Sequence, residues 1–170
     1  RGKQLILCHL IGNHTQTLME LSGVVFESFY RQSKAAILPG RGEMFLKVGS
    51  QDYEVALAHK YTGRSRLNIT LEPKRLMEFE YPNADIAVVG DMHKAGYEKF
   101  FKGGKERMAV RPGTYKVGEN LFEKNRGYGT ADLGGSCTLF YPDKHKMQAF
   151  DKLEDGVSFL ETLIKIKSYK

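Results

Sequence analysis

Short apolar segments alternate along the chain with runs of glycine, proline and polar residues, and this pattern predicts a mixed α/β protein. The most apolar segment is Ile86 to Val89, which has the composition of a strand buried on both faces. Another strand is predicted at residues 4–11. A hairpin is predicted around a loop at 49–52, with strands from Met44 to Val48 and from Tyr53 to Ala58. Because a strand buried on both faces needs cover on each side, the predicted fold is layered.

Three further segments repeat apolar residues at the three- and four-residue steps of an amphipathic helix. The first runs from Thr17 to about Tyr30. The second follows a cap at Asn68 or Thr70 and accommodates Pro73 in its first turn. The third begins near Asp155, and its predicted inner stripe consists of Val157, Leu160, Leu163 and Ile164.

Two more hairpins are predicted in the second half of the chain. One pairs Tyr97 to Phe101 with Met108 to Val110 across Gly103-Gly104, and the other pairs Ser136 to Tyr141 with Lys146 to Phe150. The glycine-rich, aromatic segment from Glu119 to Gly135 has no clear period, which predicts a long surface loop.

The composition, with 41% hydrophobic and 27% charged residues among 170, is that of one globular domain. No repeat or linker divides the sequence, so residues 1–170 are predicted to form a single domain. No apolar run approaches the roughly 20 residues that span a bilayer, and the first residues lack a signal-peptide layout. We therefore expect a cytoplasmic protein without membrane association, in which Cys8 and Cys137 are reduced, partly buried thiols.

The net charge of +6 and a pI near 9.2 favour an anionic partner. Most basic residues are dispersed, as on a solvated surface. Two groups lie close to the candidate site in the sequence and are therefore the better candidates for contacts with phosphate: Arg64 with Arg66, and Lys102 with Lys105 and Arg107.

Three predicted strands end at side chains that can bind metal ions. Asn13 and His14 follow the first strand, His59 ends the second strand of the first hairpin, and Asp91 and His93 follow the most apolar strand. Strand ends in layered α/β folds meet at one crevice, so we expect these side chains to converge. The alternative is structural, with each histidine hydrogen-bonded at a strand end and with Asn13 and Asp91 as turn formers.

The order of these residues resembles that of the later motifs of the calcineurin-like metallophosphoesterases. Gly12-Asn13-His14 is similar to the family's Gly-Asn-His-Asp/Glu, Ala58-His59-Lys60 to its lone strand-end histidine, and Gly90-Asp91-Met92-His93 to its Gly-His-x-His. Arg111-Pro112-Gly113-Thr114-Tyr115 resembles its Pro-Gly-Ser/Thr turn. The resemblance covers nearly the whole chain, which corresponds to about the C-terminal two-thirds of the family's usual domain.

The resemblance implies a layered αββα sandwich with a two-metal site at the strand ends. It implies Asn13, His59 and Asp91 as ligands of one metal and His93 as a ligand of the other. It implies His14 as the catalytic residue, which stabilises the phosphoryl transition state or protonates the leaving group. Two divalent cations neutralise a phosphate and activate a bridging water. Mixed Asn, His and carboxylate ligands suit Mn²⁺ first, with Fe, Zn²⁺ and Mg²⁺ as alternatives.

Two positions depart from the family pattern. Asp91 stands where the family normally has histidine, which replaces a nitrogen ligand by a hard anionic oxygen. Thr15 stands where an acidic residue normally orients the catalytic histidine, and a hydroxyl does not raise the basicity of that histidine as a carboxylate does. Both changes imply weakened catalysis.

The family's first two motifs, Asp-x-His and Gly-Asp-x-x-Asp/Asn, precede Gly-Asn-His, and nothing at 1–11 matches them. We therefore expect an N-terminally incomplete domain: a fragment, a split protein whose partner chain carries the missing motifs, or a degenerate member. The predicted activity is hydrolysis of a phosphomonoester or phosphodiester, with nucleic acid or nucleotides favoured by the positive charge. The alternative is a non-catalytic remnant or partner subunit that binds protein or nucleic acid, so the sequence leaves open whether the chain is an enzyme.

Overall fold

The computed structural model describes residues 6–22, 32–116 and 132–168. In the order of the chain, the elements in these ranges are β1 (Cys8–Ile11), α1 (Asn13–Ser22), β2 (Ala36–Pro39), β3 (Arg41–Val48), β4 (Gln51–Ala58), α2 (Leu71–Phe79), β5 (Ile86–Val89), β6 (Gly96–Lys102), β7 (Lys105–Arg111), β8 (Cys137–Phe140), β9 (Met147–Phe150) and α3 (Leu153–Ser168).

A five-stranded mixed sheet in the order β3-β4-β5-β7-β6 forms the centre of the fold. β5 lies between β4 and β7 and runs parallel to both, whereas the outer strands β3 and β6 pair antiparallel with their neighbours. The four apolar residues of β5 explain its central position, because the central strand of a sheet packed between two layers is covered on both faces. The predicted strand at Ile86 to Val89 is therefore confirmed.

One face of the central sheet is lined by small side chains and packs against α2. Ala56, Ala87 and Ala109 are buried there against Leu76 and Met77 of the helix. Since alanine leaves little bulk above the sheet, the helix can pack closely on this face.

The opposite face of the sheet carries larger side chains and packs against the β8–β9 hairpin. Val55, Ile86 and Met108 alternate along their strands with the alanines of the first face, and they pack against Met147 and Ala149 of β9. The hydroxyl of Tyr53 anchors the hairpin loop to the sheet by hydrogen bonding. It lies 2.8 Å from the carbonyl oxygen of Tyr141 and 3.0 Å from that of Lys146.

α3 covers the outer face of this hairpin, so the layers run α2, central sheet, β8–β9, α3. Gly156 of α3 lies directly against Cys137, and the ring of Phe159 lies 5.4 Å from that of Phe150. The predicted mixed α and β fold with αββα layering is confirmed. Cys8 and Cys137 are free and partly buried, and burial raises the pKa of both thiols.

β1 and β2 form a separate two-stranded parallel sheet that brings the first predicted motif to the others. Gly40 joins β2 to β3, and its carbonyl oxygen accepts a hydrogen bond of 2.8 Å from the backbone nitrogen of His59. The end of β1 therefore lies beside the end of β4.

The hairpins are confirmed, although the first is tighter than predicted. Val48 pairs directly with Gln51, so the loop contains two residues, Gly49 and Ser50, instead of the predicted four. Gly49 has a φ of 62°, which glycine adopts without strain. In α2, Thr70 occupies the predicted cap position, but its hydroxyl bonds to Asn68 and Glu98 and does not cap the helix.

Two helix predictions are corrected. α1 begins at Asn13 and not at the predicted Thr17, so Asn13 and His14 belong to the first turn of the helix; the predicted part of this helix at 23–30 lies outside the described residues. In α3, three members of the predicted inner stripe, Val157, Leu160 and Ile164, are 45%, 44% and 60% exposed, and Leu163 is partly buried. The helix contacts the hairpin through Gly156 and Phe159. Most of the predicted loop at 119–135 also lies outside the described residues.

Within the ranges that the structure describes, no helix combines the length and the apolar content that crossing a membrane requires.

Replacing Met147 by alanine tests the packing of the hairpin on the sheet. Met147 is 1% exposed and fills the space between the two layers, so Met147→Ala should lower the free energy of unfolding by about 2–5 kcal/mol, measured by urea denaturation. The matched control is Phe101→Ala on β6, where the side chain is 77% exposed and the expected change is within about 0.5 kcal/mol. Equal effects of the two substitutions would contradict the layer order.

Candidate functional site

The carboxyl ends of β1, β4 and β5 meet at one edge of the fold and carry most of the predicted site residues. β4 and β5 are parallel with Ala58 opposite Val89, so the residues that follow them emerge side by side. The contact between Gly40 and His59 adds the start of α1 to the same edge. The topology therefore brings together segments that are far apart in the sequence.

The imidazole of His59 lies between Asn13 and Asp91. Its Nε2 atom is 2.7 Å from Asn13 Oδ1 and 3.5 Å from Asp91 Oδ1. Both neighbours are acceptor oxygens, so the tautomer with a proton on Nε2 donates toward Asn13, whereas the other tautomer offers a lone pair on Nε2. Two side-chain oxygens thus lie close to one imidazole nitrogen, and we call Asn13, His59 and Asp91 the strand-end cluster.

Gly12 allows the start of α1 to approach the histidine ring. A Cβ atom at this position would lie 2.9 Å from His59 Cε1, closer than a carbon contact tolerates. The glycine of the first motif therefore has a packing reason, since any side chain would push Asn13 away from His59.

The turn after β5 holds two residues in the left-handed region of backbone conformation. Asp91 has a φ of 67° and His93 a φ of 54°, and Lys34 is the other non-glycine residue of the described ranges with a positive φ. Such conformations cost of order 1–3 kcal/mol each and cluster at functional sites. The guanidinium of Arg64 forms an ion pair with Asp91 Oδ2, which leaves Oδ1 directed at His59.

The structure does not bring His93 into a ligand group with the other predicted residues. In 6–22, 32–116 and 132–168, no three His, Cys, Asp or Glu side chains form a group that could hold a metal ion. The main chain of His93 is held by Asp132, whose backbone nitrogen donates a hydrogen bond of 2.9 Å to the His93 carbonyl oxygen. The carboxylate of Asp132 accepts a further bond of 2.9 Å from the nitrogen of Ala95.

The other predicted residues have different positions. The side chain of His14 lies outside the described part of the structure. Arg64 contacts Asp91, and Arg66 lies exposed in the loop before α2.

A buried arginine fixes the turn that carries Asp91. Arg111, at the end of β7, is 1% exposed and forms an ion pair with Glu72 of α2, which is 2% exposed. Its guanidinium donates to the carbonyl oxygens of Val89, at 3.2 Å, and of Gly90, and its Nε donates to Ile69 at 2.9 Å. One side chain thus joins β7, α2, the loop before α2 and the end of β5.

Burial, together with the positive charge of Arg64, lowers the pKa of Arg111 to about 10. The guanidinium therefore stays protonated at neutral pH and keeps its donors directed at the backbone of β5.

An open pocket of about 340 Å³ adjoins the cluster. Its lining consists of Ile11, Asn13, Gln16, Pro39, Gly40, Arg41, His59 and Lys60. The two cations, Arg41 and Lys60, face a pocket whose lining contains no carboxylate. Arg64 and Arg66, the predicted phosphate contacts, are not among its lining residues.

The chemistry of the donor set decides which metal site the described residues can form. An amide oxygen, an imidazole nitrogen and a carboxylate oxygen suit one divalent cation of the Mn²⁺ or Zn²⁺ type. A second cation would need further ligands, and the described residues supply no group of three. The donors therefore fit part of a one-cation site and do not fit a complete two-metal centre.

Sequence reasoning missed the roles of Arg111, Arg41, Lys60 and Asp132. A charged residue directly after the apolar run Met108 to Val110 is a weak sign of burial, but nothing in the sequence links Arg111 to Glu72. Arg41 and Lys60 reach the pocket only because β3 and β4 pair with Arg41 opposite Ala58.

No protein-family model matches the chain, and no curated protein matches it in sequence. Among solved structures, the chain is similar to Vps29 from Entamoeba histolytica, which was crystallised in complex with Zn²⁺. The two share 14% sequence identity over 85% of this chain and 82% of that chain, with a TM-score of 0.37. A likeness at this level does not establish a function.

Substitution of Arg111 tests its structural role. Arg111→Met should lower the free energy of unfolding by about 3–5 kcal/mol, because it leaves the carboxylate of Glu72 buried and unpaired. The double variant Arg111→Met/Glu72→Leu should recover part of this loss, since it removes the uncompensated charge. Both values follow from chemical denaturation. A single variant as stable as the unsubstituted protein would show that the ion pair does not hold these elements together.

Proposed function

We propose that the chain is a metallophosphoesterase-like domain whose strand-end cluster helps to bind one divalent cation for hydrolysis of a phosphoester. The observation that supports this proposal is the position of His59 Nε2, 2.7 Å from Asn13 Oδ1 and 3.5 Å from Asp91 Oδ1. Donor atoms bound to one cation with bonds near 2.1 Å lie about 3 Å from each other. The two separations from His59 Nε2 are close to this spacing.

Asn13, His59 and Asp91 would hold the cation, with Mn²⁺ preferred and Zn²⁺, Fe and Mg²⁺ as alternatives. A bound divalent cation supplies positive charge for a phosphate and lowers the pKa of its water. A cation binds the unprotonated form of His59 Nε2, so binding should weaken at low pH. Arg64 orients the carboxylate of Asp91 through Oδ2.

Three ligands leave this centre incomplete. The remaining ligands of a two-metal site would come from residues beyond the strand-end cluster, on a further segment or on a partner chain. His93 and His14 remain the predicted second-metal ligand and the predicted catalytic residue.

A second candidate function is a non-catalytic binding domain, and the ion pair between Arg64 and Asp91 favours it. Arg64 already neutralises the one carboxylate of the cluster, so the site can exist without a cation. In this case the αββα sandwich serves as a scaffold for binding a protein or a nucleic acid.

Titration with Mn²⁺, followed by electron paramagnetic resonance, tests cation binding. We expect one Mn²⁺ per chain, and His59→Ala and Asp91→Asn should each weaken binding on the order of tenfold or more, since each removes a ligand. The matched controls are His145→Ala and Asp143→Asn in the β8–β9 loop, which should leave the affinity unchanged. Binding that is absent, or that all four variants weaken equally, would contradict the proposal.

Hydrolysis of bis-p-nitrophenyl phosphate separates the two candidate functions. The enzymatic proposal predicts product release that requires Mn²⁺ and that His59→Ala removes. Mn²⁺ binding without any turnover at high protein concentration would instead count against catalysis by this chain alone.

A further inference from the structure

We infer that the pocket beside the strand-end cluster binds the phosphate of a small phosphate ester of mononucleotide size, with Lys60 and Arg41 as its cationic contacts. The inference deepens the proposed function and rests on it for the chemistry of hydrolysis. The binding step itself rests on the shape and charge of the pocket.

The charge of the pocket favours an anion. Lys60 makes no ion pair with any described residue, so its ammonium group is available to a ligand. Arg41 is held by Glu80, 2.9 Å from its Nε, and its side chain is still 55% exposed. The ion pair fixes the direction of the guanidinium, which reduces the entropy lost when its other nitrogen atoms meet a phosphate.

The remaining walls suit the neutral part of such an ester. Ile11 and Pro39 supply apolar surface, and Gln16 of α1 supplies an amide that can donate and accept hydrogen bonds. A volume of about 340 Å³ lies near the lower end of the range of small-molecule sites, about 300–1,000 Å³. The pocket therefore suits one nucleotide or a smaller ester better than a polymer.

His59 joins the pocket to the proposed cation site. Its ring lines the pocket, and its Nε2 belongs to the strand-end cluster. A phosphate held by Lys60 and Arg41 would lie next to the position where the cation binds. The arrangement places positive charge on two sides of the phosphate, as phosphoryl transfer requires.

Binding of adenosine 5′-monophosphate to the full chain, measured by calorimetry in the presence of EDTA, tests the inference without any metal. Lys60→Gln should weaken binding roughly tenfold, because it removes a charge-assisted contact with phosphate. Lys60 is exposed, so this substitution should not disturb the fold. The matched control is Lys47→Gln. Lys47 is exposed and lies near the turn of the β3–β4 hairpin, at the opposite end of that hairpin from Arg41. The affinity of this variant for the mononucleotide should stay within about twofold of that of the unsubstituted protein.

Two further ligands test the size of the site. Inorganic phosphate should bind more weakly than the mononucleotide, because it does not reach the apolar walls. A single-stranded DNA of ten nucleotides should bind no more tightly than the mononucleotide, and Lys60→Gln should not weaken its binding more than that of the mononucleotide. Equal binding of phosphate and mononucleotide, or preferential binding of the DNA, would overturn the assignment to a small ester.

The failure of this inference can be told apart from failure of the proposed function. Lys60-dependent binding of the mononucleotide without any Mn²⁺ binding would uphold the pocket and reject the metal site. Mn²⁺-dependent hydrolysis with an unchanged KM in Lys60→Gln would uphold the phosphoesterase and reject the pocket. No mononucleotide binding, or the same loss in Lys47→Gln and Lys60→Gln, would also reject the pocket.

Discussion

The ion pair between Arg111 and Glu72 is the interaction on which the candidate site depends. Both side chains are almost completely buried, so the desolvation of two charges must be offset by good geometry and by further hydrogen bonds. The carbonyl oxygens of Ile69, Val89 and Gly90 supply those bonds. Since Gly90 directly precedes Asp91, the same guanidinium that pairs α2 with β7 also fixes the turn that carries a proposed ligand.

The two faces of the central sheet place this turn at the edge of the fold. Small residues on one face let α2 lie close enough for Glu72 to reach Arg111, and larger residues on the other face pack against the β8–β9 hairpin. Because β4 and β5 are parallel, both deliver polar residues to the same edge. The layered packing therefore does more than bury apolar surface, since it also determines which side chains meet His59.

The electrostatics of this edge combine two tendencies. Asp91 and the oxygen of Asn13 favour a cation beside His59, whereas Arg41, Lys60 and Arg64 make the surroundings positive. In the proposed function, a phosphate ester bound with a divalent cation would satisfy both, with the cation at the oxygens and the phosphate at the basic side chains. The ion pair of Arg64 with Asp91 is the feature that also allows the site to persist without a metal.

The sequence by itself determined the class of fold and the segments that carry the candidate site. Apolar runs such as Ile86 to Val89, and glycine turns such as Gly103-Gly104, are local signals, so the strands and hairpins could be predicted. The motif residues Asn13, His59 and Asp91 could be named because each follows a predicted strand. The start of α1 at Asn13 could not be predicted, because the position of a helix end depends on neighbours that the local pattern does not show.

Only the tertiary structure decided which of these residues meet and what surrounds them. The inner face of α3 was wrongly predicted from its apolar period, because the actual contact is made by Gly156, whose lack of a side chain permits a close approach to Cys137. Arg111 pairs with Glu72 because α2 docks on the central sheet. Arg41 and Lys60 share a pocket because of the register between β3 and β4. Such contacts arise from the packing of whole layers, and the order of residue types along the chain does not specify the distances between residues in different layers.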